Sequence, residues 1–335
     1  MVAPFISLSY PIDTPKSPDS FPDSRYYETG PLDLCFMVTV IAVMAVLRDV
    51  CRIYVFEPFA EWKLKKDLNT RWEGKKRRAA TNGSANGVGN GHVSTYAQEE
   101  RHMKRSVMRF AEQGWSVVYY TCQWSYGFYV HLNLPTQLSD LSVLWTGYPH
   151  IPIAAPVKFY YLTEIAFYIH QLLIINAEAR RKDHWQMFTH HIITIFLMMA
   201  SYYTNFTRVG CIIMVLMDWC DIWLPAAKMG RYLDIPHQIY DYTFAFFLVS
   251  WFVTRHVLFV CVLWSTWTGL PANINFEWTP EKGHYITHTF WLVFVSSLAA
   301  LQVLQCMWFF IAMRVAYRVV FQGDAASDDR SDEEE

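Results

Sequence analysis

The chain has 335 residues, of which 53% are hydrophobic, 17% aromatic and only 17% charged, with a net charge of −2. An average soluble domain carries about 25% charged residues, so the composition excludes an ordinary soluble protein, while the near-neutral balance by itself names no partner. Seven cysteines (Cys35, Cys51, Cys122, Cys211, Cys220, Cys261, Cys306) fall in apolar stretches without a CxxC pair, which suits buried free thiols better than a disulfide framework or a zinc site.

Residues 1–33 are polar and acidic rather than short and basic, so the apolar window that follows reads as a retained anchor and not as a signal peptide. Windows long enough to cross a hydrocarbon core of about 30 Å run over 34–56, 113–132, 156–177, 187–204, 208–228, 242–263 and 287–316. The expected fold is therefore an all-α polytopic membrane protein of about seven transmembrane helices. The second and third windows are the most polar, because they contain Gln123, Lys158, Glu164 and His170.

Basic residues collect in KLKKDLNTRWEGKKRRA after the first window, in ARRK after the third, in KMGR after the fifth, and at Arg314 and Arg318. The loops between these sites are poor in Lys and Arg, so the basic sites are expected in the cytosol, with the N-terminus lumenal and the C-terminus cytosolic. Of two glycosylation sequons, Asn82 falls on the cytosolic side and Asn205 in a turn too short to clear the membrane; neither is expected to carry a glycan. Residues 57–106 form a basic loop lying near anionic head groups, with a flexible linker in TNGSANGVGNG. Residues 321–335 form an acidic tail too charged to pack, in which Ser331 and Glu334 suit an acid-directed kinase.

The most informative residues lie inside the windows: His190 and His191 in FTHHIITIFLMMASYYT, then Asp218 and Asp221 in GCIIMVLMDWCDIWL. A centrally placed Asp costs about 2.5–3.5 kcal/mol on insertion scales, so such groups in apolar helices point to function. The fourth and fifth windows are joined by a few residues around Asn205. They should form an antiparallel hairpin in which His191 and position 219, each 14 residues from Asn205, share one depth. The i, i+3 spacing puts both carboxylates on one helix face. The third window returns through ARRKDHWQ and brings His170 and Gln171, with Glu164 deeper, to a comparable level. The bland reading is a hydrogen-bonded knot that glues helices together; four coincident ionisable groups favour a pocket instead.

The stretch from Arg180 to Met229 resembles the signature of the ceramide synthases, the longevity-assurance proteins of the TLC-domain superfamily. The resemblance rests on the Arg180–Asp183 lead-in, the His190–His191 pair, Thr194, Ser201–Tyr202, Asn205, Arg208, Gly210, Asp218, Asp221 and Lys228. It covers roughly residues 107–320, a six-helix catalytic domain after an N-terminal anchor helix at 34–56. Met217 departs from many animal members, which have His before the first Asp; that is a fungal pattern. The loop at 57–106 is too short for the homeobox-like module of some animal members, so no nucleic-acid partner is expected.

The resemblance implies N-acylation of a sphingoid base by fatty acyl-CoA in the endoplasmic reticulum membrane, with acyl-CoA as co-substrate and no bound cofactor or metal. It also implies a possible homodimer, or heterodimer with a paralogue, and a small regulatory membrane subunit. The residue chemistry agrees: an aliphatic amine has a pKa near 10, so it arrives as an ammonium and must lose a proton before it attacks a thioester. His190 or His191 would be that base, or would attack the thioester to form an acyl-imidazole, while Asp218 and Asp221 orient the rings and hold the ammonium. Arg180, Arg181, Lys182 and Lys228 at the cytosolic mouth suit CoA phosphates, although flanking cations also enforce topology. His170, Gln171, Glu164 and Tyr202 complete the expected substrate-binding set, with Asn205 and Arg208 bracing the hairpin turn. The acyl chain needs an apolar tunnel between the later helices.

Two other classes compete. A di-iron lipid hydroxylase would use several histidines, and His284 and His288 have i, i+4 spacing, but they open the last window on the lumenal side, away from His190 and His191, and no HxxHH box occurs. A seven-helix receptor or transporter leaves the intramembrane His and Asp set unexplained.

Overall fold

The computed structural model describes residues 2–81, 96–177 and 183–322. Asn82, most of the linker and of the acidic tail, and the basic trio Arg180, Arg181 and Lys182 lie outside the described residues. After a short helix α1 (Ala3–Ile6), long helices dominate: α2 (Asp33–Cys51) and α3 (Glu57–Thr81), joined by a π-helical turn at Arg52–Phe56, then α4 (Tyr96–Asn133), α5 (Ala155–Ala177), α6 (His184–Tyr203) and α7 (Thr207–Tyr232). Next come α8 (His237–Trp251) and α9 (Phe259–Asn273), made continuous by a π-helical segment at Phe252–Leu258, and finally α10 (His288–Tyr317).

Among the described residues four helical stretches, Asp33–Arg78, Thr207–Tyr232, His237–Asn273 and His288–Tyr317, are long and apolar enough to cross a membrane. The windows at 113–132, 156–177 and 187–204 are also helical, but Gln123, Lys158, Glu164 and the histidine pair lower their hydropathy. Among the described residues, two small antiparallel sheets accompany the helices. The first, in the order β1 (Pro11–Ile12), β2 (Tyr26–Tyr27), β3 (Ile153–Ala154), ties the N-terminal segment to the start of α5; the second pairs β4 (Glu277–Thr279) with β5 (His284–Ile286).

The chain forms two compact units, one from residues 1–45, 120–220 and 245 onward, the other from 46–119 and 221–244. In the first, α5 and α10 both pack on α6. One apolar cluster there joins Leu197 of α6 to Phe259 and to Phe294, Leu298 and Leu301 of α10; another gathers Trp145, Phe206, Ile212, Val262 and Ile286. In the second unit the expected basic loop is largely helix instead. Ala60, Leu64 and Leu68 repeat every four residues in α3 and pack on Met103, Val107 and Phe110 of α4; Lys, Glu, Leu and Ala are good helix formers, so charge on the outer face does not prevent the helix. Lys63 donates to the Leu233 carbonyl at 2.7 Å and Arg71 pairs with Asp234 at 2.8 Å. The cysteines only partly follow the expectation of buried thiols: Cys211 and Cys220 are buried, whereas Cys122, Cys261 and Cys306 point outward. The outward three lie on apolar helix faces, which suit lipid as well as a core.

Candidate active site around the histidine pair

His190 and His191 lie on α6, and being adjacent on a helix their rings diverge, with centroids 5.4 Å apart and planes at 89°. His191 is buried and its Nδ1–H donates to the Met187 carbonyl at 2.8 Å. A carbonyl oxygen can only accept, so the proton is fixed on Nδ1 and the Nε2 lone pair remains for chemistry. The ring lies 5.6 Å from that of Tyr168 on α5. His190 turns the other way, toward α10, with its ring edge-on to Trp308 at 5.3 Å; its Nδ1 is shut away from solvent with no hydrogen-bond partner.

Arg255, which the sequence reading passed over, stands on the π-helical segment and is 5% exposed. The wider π turn shifts the helix phase and carries the guanidinium inward. It donates to the Met217 carbonyl at 2.7 Å and lies 4.2 Å over the Trp251 ring. It is also within electrostatic range of His190. The contact brings the 217–218 turn of α7 to the level of His190. Met217 is held from the other side by Gln305 of α10, whose Nε2 donates to the thioether at 3.2 Å. Arg255 was findable by the test that found the aspartates, a charge inside an apolar window; Gln305 and Trp308 were not, because single Gln and Trp residues are ordinary in such windows.

Asp218 is fully buried, as is Glu164 of α5, and the Tyr160 side chain one turn before Glu164 lies within electrostatic range of both. Asp221 follows Asp218 on the same face of α7 and is half-buried, as is Lys228 two turns further on. His170 is buried near the end of α5, two residues from Tyr168, and Gln171 is half-buried. The His191 ring, which the aspartates were expected to orient, is held by the Met187 backbone, because a helix offers the i−4 carbonyl at hydrogen-bond range.

Tyr202 sits elsewhere. It is 11 residues beyond His191 on α6, about 16 Å along the axis, and its hydroxyl donates to Asp33 Oδ2 at 2.8 Å. Asp33 also accepts from the Gly30 N–H at 3.0 Å and pairs with Lys158 Nζ at 2.8 Å, both side chains being 0% exposed. Lys158 completes its shell with the Ser9 and Glu28 carbonyls at 2.8 and 2.6 Å. The polar residues of the third window therefore divide: Lys158 fastens the N-terminal segment, while Glu164, like Asp218, lies within electrostatic range of Tyr160.

The hairpin turn is braced as expected. Asn205 adopts a left-handed φ of 67° and donates to the Gly283 carbonyl at 2.9 Å; Arg208 donates to the Val143 and Thr146 carbonyls at 2.9 and 3.1 Å and pairs with Asp19. Beside it, a cavity of about 220 Å³ is lined by Asp19, His150 and Arg208 among others. His284 faces Glu277 at 3.2 Å and His288 stacks on Phe276 at 3.9 Å. His288 precedes Trp308 by 20 residues of α10, about 30 Å, so it cannot share a metal with His190.

The TLC-domain family matches residues 109–314, more than half of the chain. Sphingosine N-acyltransferase lag1 of Schizosaccharomyces pombe is 35% identical over 99% of this chain and 73% of its own length. The chain belongs to the ceramide synthase family of TLC-domain proteins. A ceramide synthase of Gibberella moniliformis is 32% identical over 93% of this chain and 70% of its own, and mouse ceramide synthase 5 is 33% identical over 68% and 52%. The matched region of this ceramide synthase family member contains α5, α6, α7 and Arg255, Gln305 and Trp308, so the polar groups around the histidines all lie within the family domain.

Proposed function

We propose that this protein transfers a fatty acyl group from acyl-CoA to the amine of a sphingoid base, releasing ceramide and CoA, with His191 as the base. The observation that carries the reading is the hydrogen bond from His191 Nδ1 to Met187, because it leaves Nε2 as a fixed acceptor. The ammonium gives one proton to Nε2; the freed amine attacks the thioester carbonyl; the C–S bond breaks as the C–N bond is kept, and CoA leaves as thiolate and takes up the proton from the imidazolium. The second N–H proton is released to solvent. A two-step route, in which an imidazole nitrogen first takes the acyl group and CoA departs before the base arrives, uses the same residues. Asp218 and Glu164, buried beside Tyr160, supply the negative field that attracts the ammonium.

The reading includes seven spans, with the three more polar helices shielded by the four apolar ones, a lumenal N-terminus, a cytosolic acidic tail and residence in the endoplasmic reticulum. Support comes from the alternation of basic loops and from the membrane character of the family. Lys228 and the trio Arg180, Arg181 and Lys182 would meet the CoA phosphates, and dimerisation or a small regulatory subunit belongs to the same proposal. The test is mass spectrometry of products when the purified full-length protein receives mixed acyl-CoAs and sphingoid bases. N-acylated base is expected; its absence with every pair would sink the assignment.

A further inference from the structure

Gln305 is 1% exposed, yet its amide is only half satisfied. Nε2 donates to the Met217 thioether, a weak acceptor, and Oε1 is shut from solvent with no partner. Turning the amide over would set two acceptors, oxygen and sulfur, against each other, so the observed orientation is the favoured one. A buried amide oxygen left in this state is disfavoured unless something enters to complete it.

It does not stand alone. His190 Nδ1 and Thr194 Oγ1, one turn apart on α6, are likewise buried without a hydrogen-bond partner. The helices run antiparallel, since His190 meets Trp308 while Leu197 clusters with Leu298 and Leu301. Moving one turn along α6 from His190 to Thr194 therefore matches moving one turn back along α10 from Trp308 to Gln305. Thr194 Oγ1 and Gln305 Oε1 thus lie at one level of the α6–α10 seam, one turn further from His184, the first residue of α6, than the third unpartnered atom, His190 Nδ1.

Resting on the acyltransferase reading, we infer that Gln305 and Thr194 bind the hydroxyl on the tail side of the sphingoid amine, the C3 hydroxyl. The amide oxygen needs a donor, and a thioester and its acyl chain have none, whereas the base carries hydroxyls beside its amine. Thr194 follows His191 by three residues and His190 by four, so it adjoins both rings one turn deeper; with the amine at His191 and the tail running deeper among apolar helices, the polar group that reaches Thr194 and Gln305 is the one between amine and tail. Gln305 is then a specificity-determining residue for the base, and acyl-CoA binding does not depend on it.

The test compares kcat/KM for sphinganine and for its analogues lacking the C3 or the C1 hydroxyl, in the purified full-length protein and its Gln305→Met and Thr194→Val variants. The wild type is expected to prefer sphinganine to the C3-lacking analogue at least tenfold. Gln305→Met should erase most of that preference by losing rate on sphinganine alone, with KM for acyl-CoA and the response to the C1 hydroxyl unchanged; Thr194→Val should act in the same direction more weakly. If Gln305→Met does not fold, Thr194→Val carries the same comparison. A wild type indifferent to the C3 hydroxyl, or variants that keep the preference, overturn the inference while leaving the acyltransferase reading intact. A wild type that acylates no base overturns both.

Discussion

The Nδ1–H of His191 is held by the carbonyl of Met187, one turn earlier on the same helix, at 2.8 Å. The bond is local, so the tautomer survives changes elsewhere and Nε2 stays an acceptor. His191→Ala is therefore expected to lower kcat for N-acylation by about 10²–10⁴-fold, the usual worth of a positioned base, with the protein still folded. Steady-state kinetics with excess acyl-CoA check this, and a variant within twofold of wild type would remove the base assignment.

Lys158 and Asp33 form an ion pair with no exposure, 125 residues apart in the chain. Removing one partner leaves a buried charge, so Lys158→Met and Asp33→Leu should each destabilise by about 3–5 kcal/mol, while the double variant Lys158→Met/Asp33→Leu should recover a large part. Thermal unfolding of the four proteins in one detergent gives the coupling; additive losses would contradict it.

Gly210 shows why a motif glycine is needed. A Cβ there would collide with the Tyr161 hydroxyl oxygen, where that hydroxyl bonds Ser201 at 3.1 Å and the Thr207 carbonyl at 3.2 Å. Gly210→Ala should cost about 1–3 kcal/mol by overpacking, with partial relief from Tyr161→Phe, read as melting temperatures in detergent. A Gly210→Ala protein as stable as wild type would show that α5 and α7 are not in this contact.

His150, in the loop before α5, is pushed down from its ordinary 6.5 to about 4, first by burial and then by the Arg208 guanidinium. Its folded pKa is depressed, so between pH 6.5 and 4 the unfolded chain binds the extra proton and stability falls as pH falls. At about 1.4 kcal/mol per pKa unit the loss is of order 2–4 kcal/mol by pH 4. The melting temperature of the wild type should decline across that window more steeply than that of His150→Asn; parallel curves would refute the assignment.

The sequence by itself determined the helices, the hairpin around Asn205 and the histidine pair, because hydropathy windows and intramembrane charges are properties of a few adjacent residues. It also marked Asp218 and Glu164 as belonging inside. Only the tertiary structure decided which polar groups meet. Lys158 and Glu164 lie six residues apart in one window, yet one fastens the N-terminal segment through Asp33 and the other, like Asp218, is buried within electrostatic range of Tyr160. Tyr202 shares a helix with His191 but serves the far end. Arg255 and Gln305 converge on Met217 from separate helices. Such pairings depend on helix rotation and on contacts between residues distant in the chain, and periodicity along a sequence that is apolar on nearly every face carries no record of either.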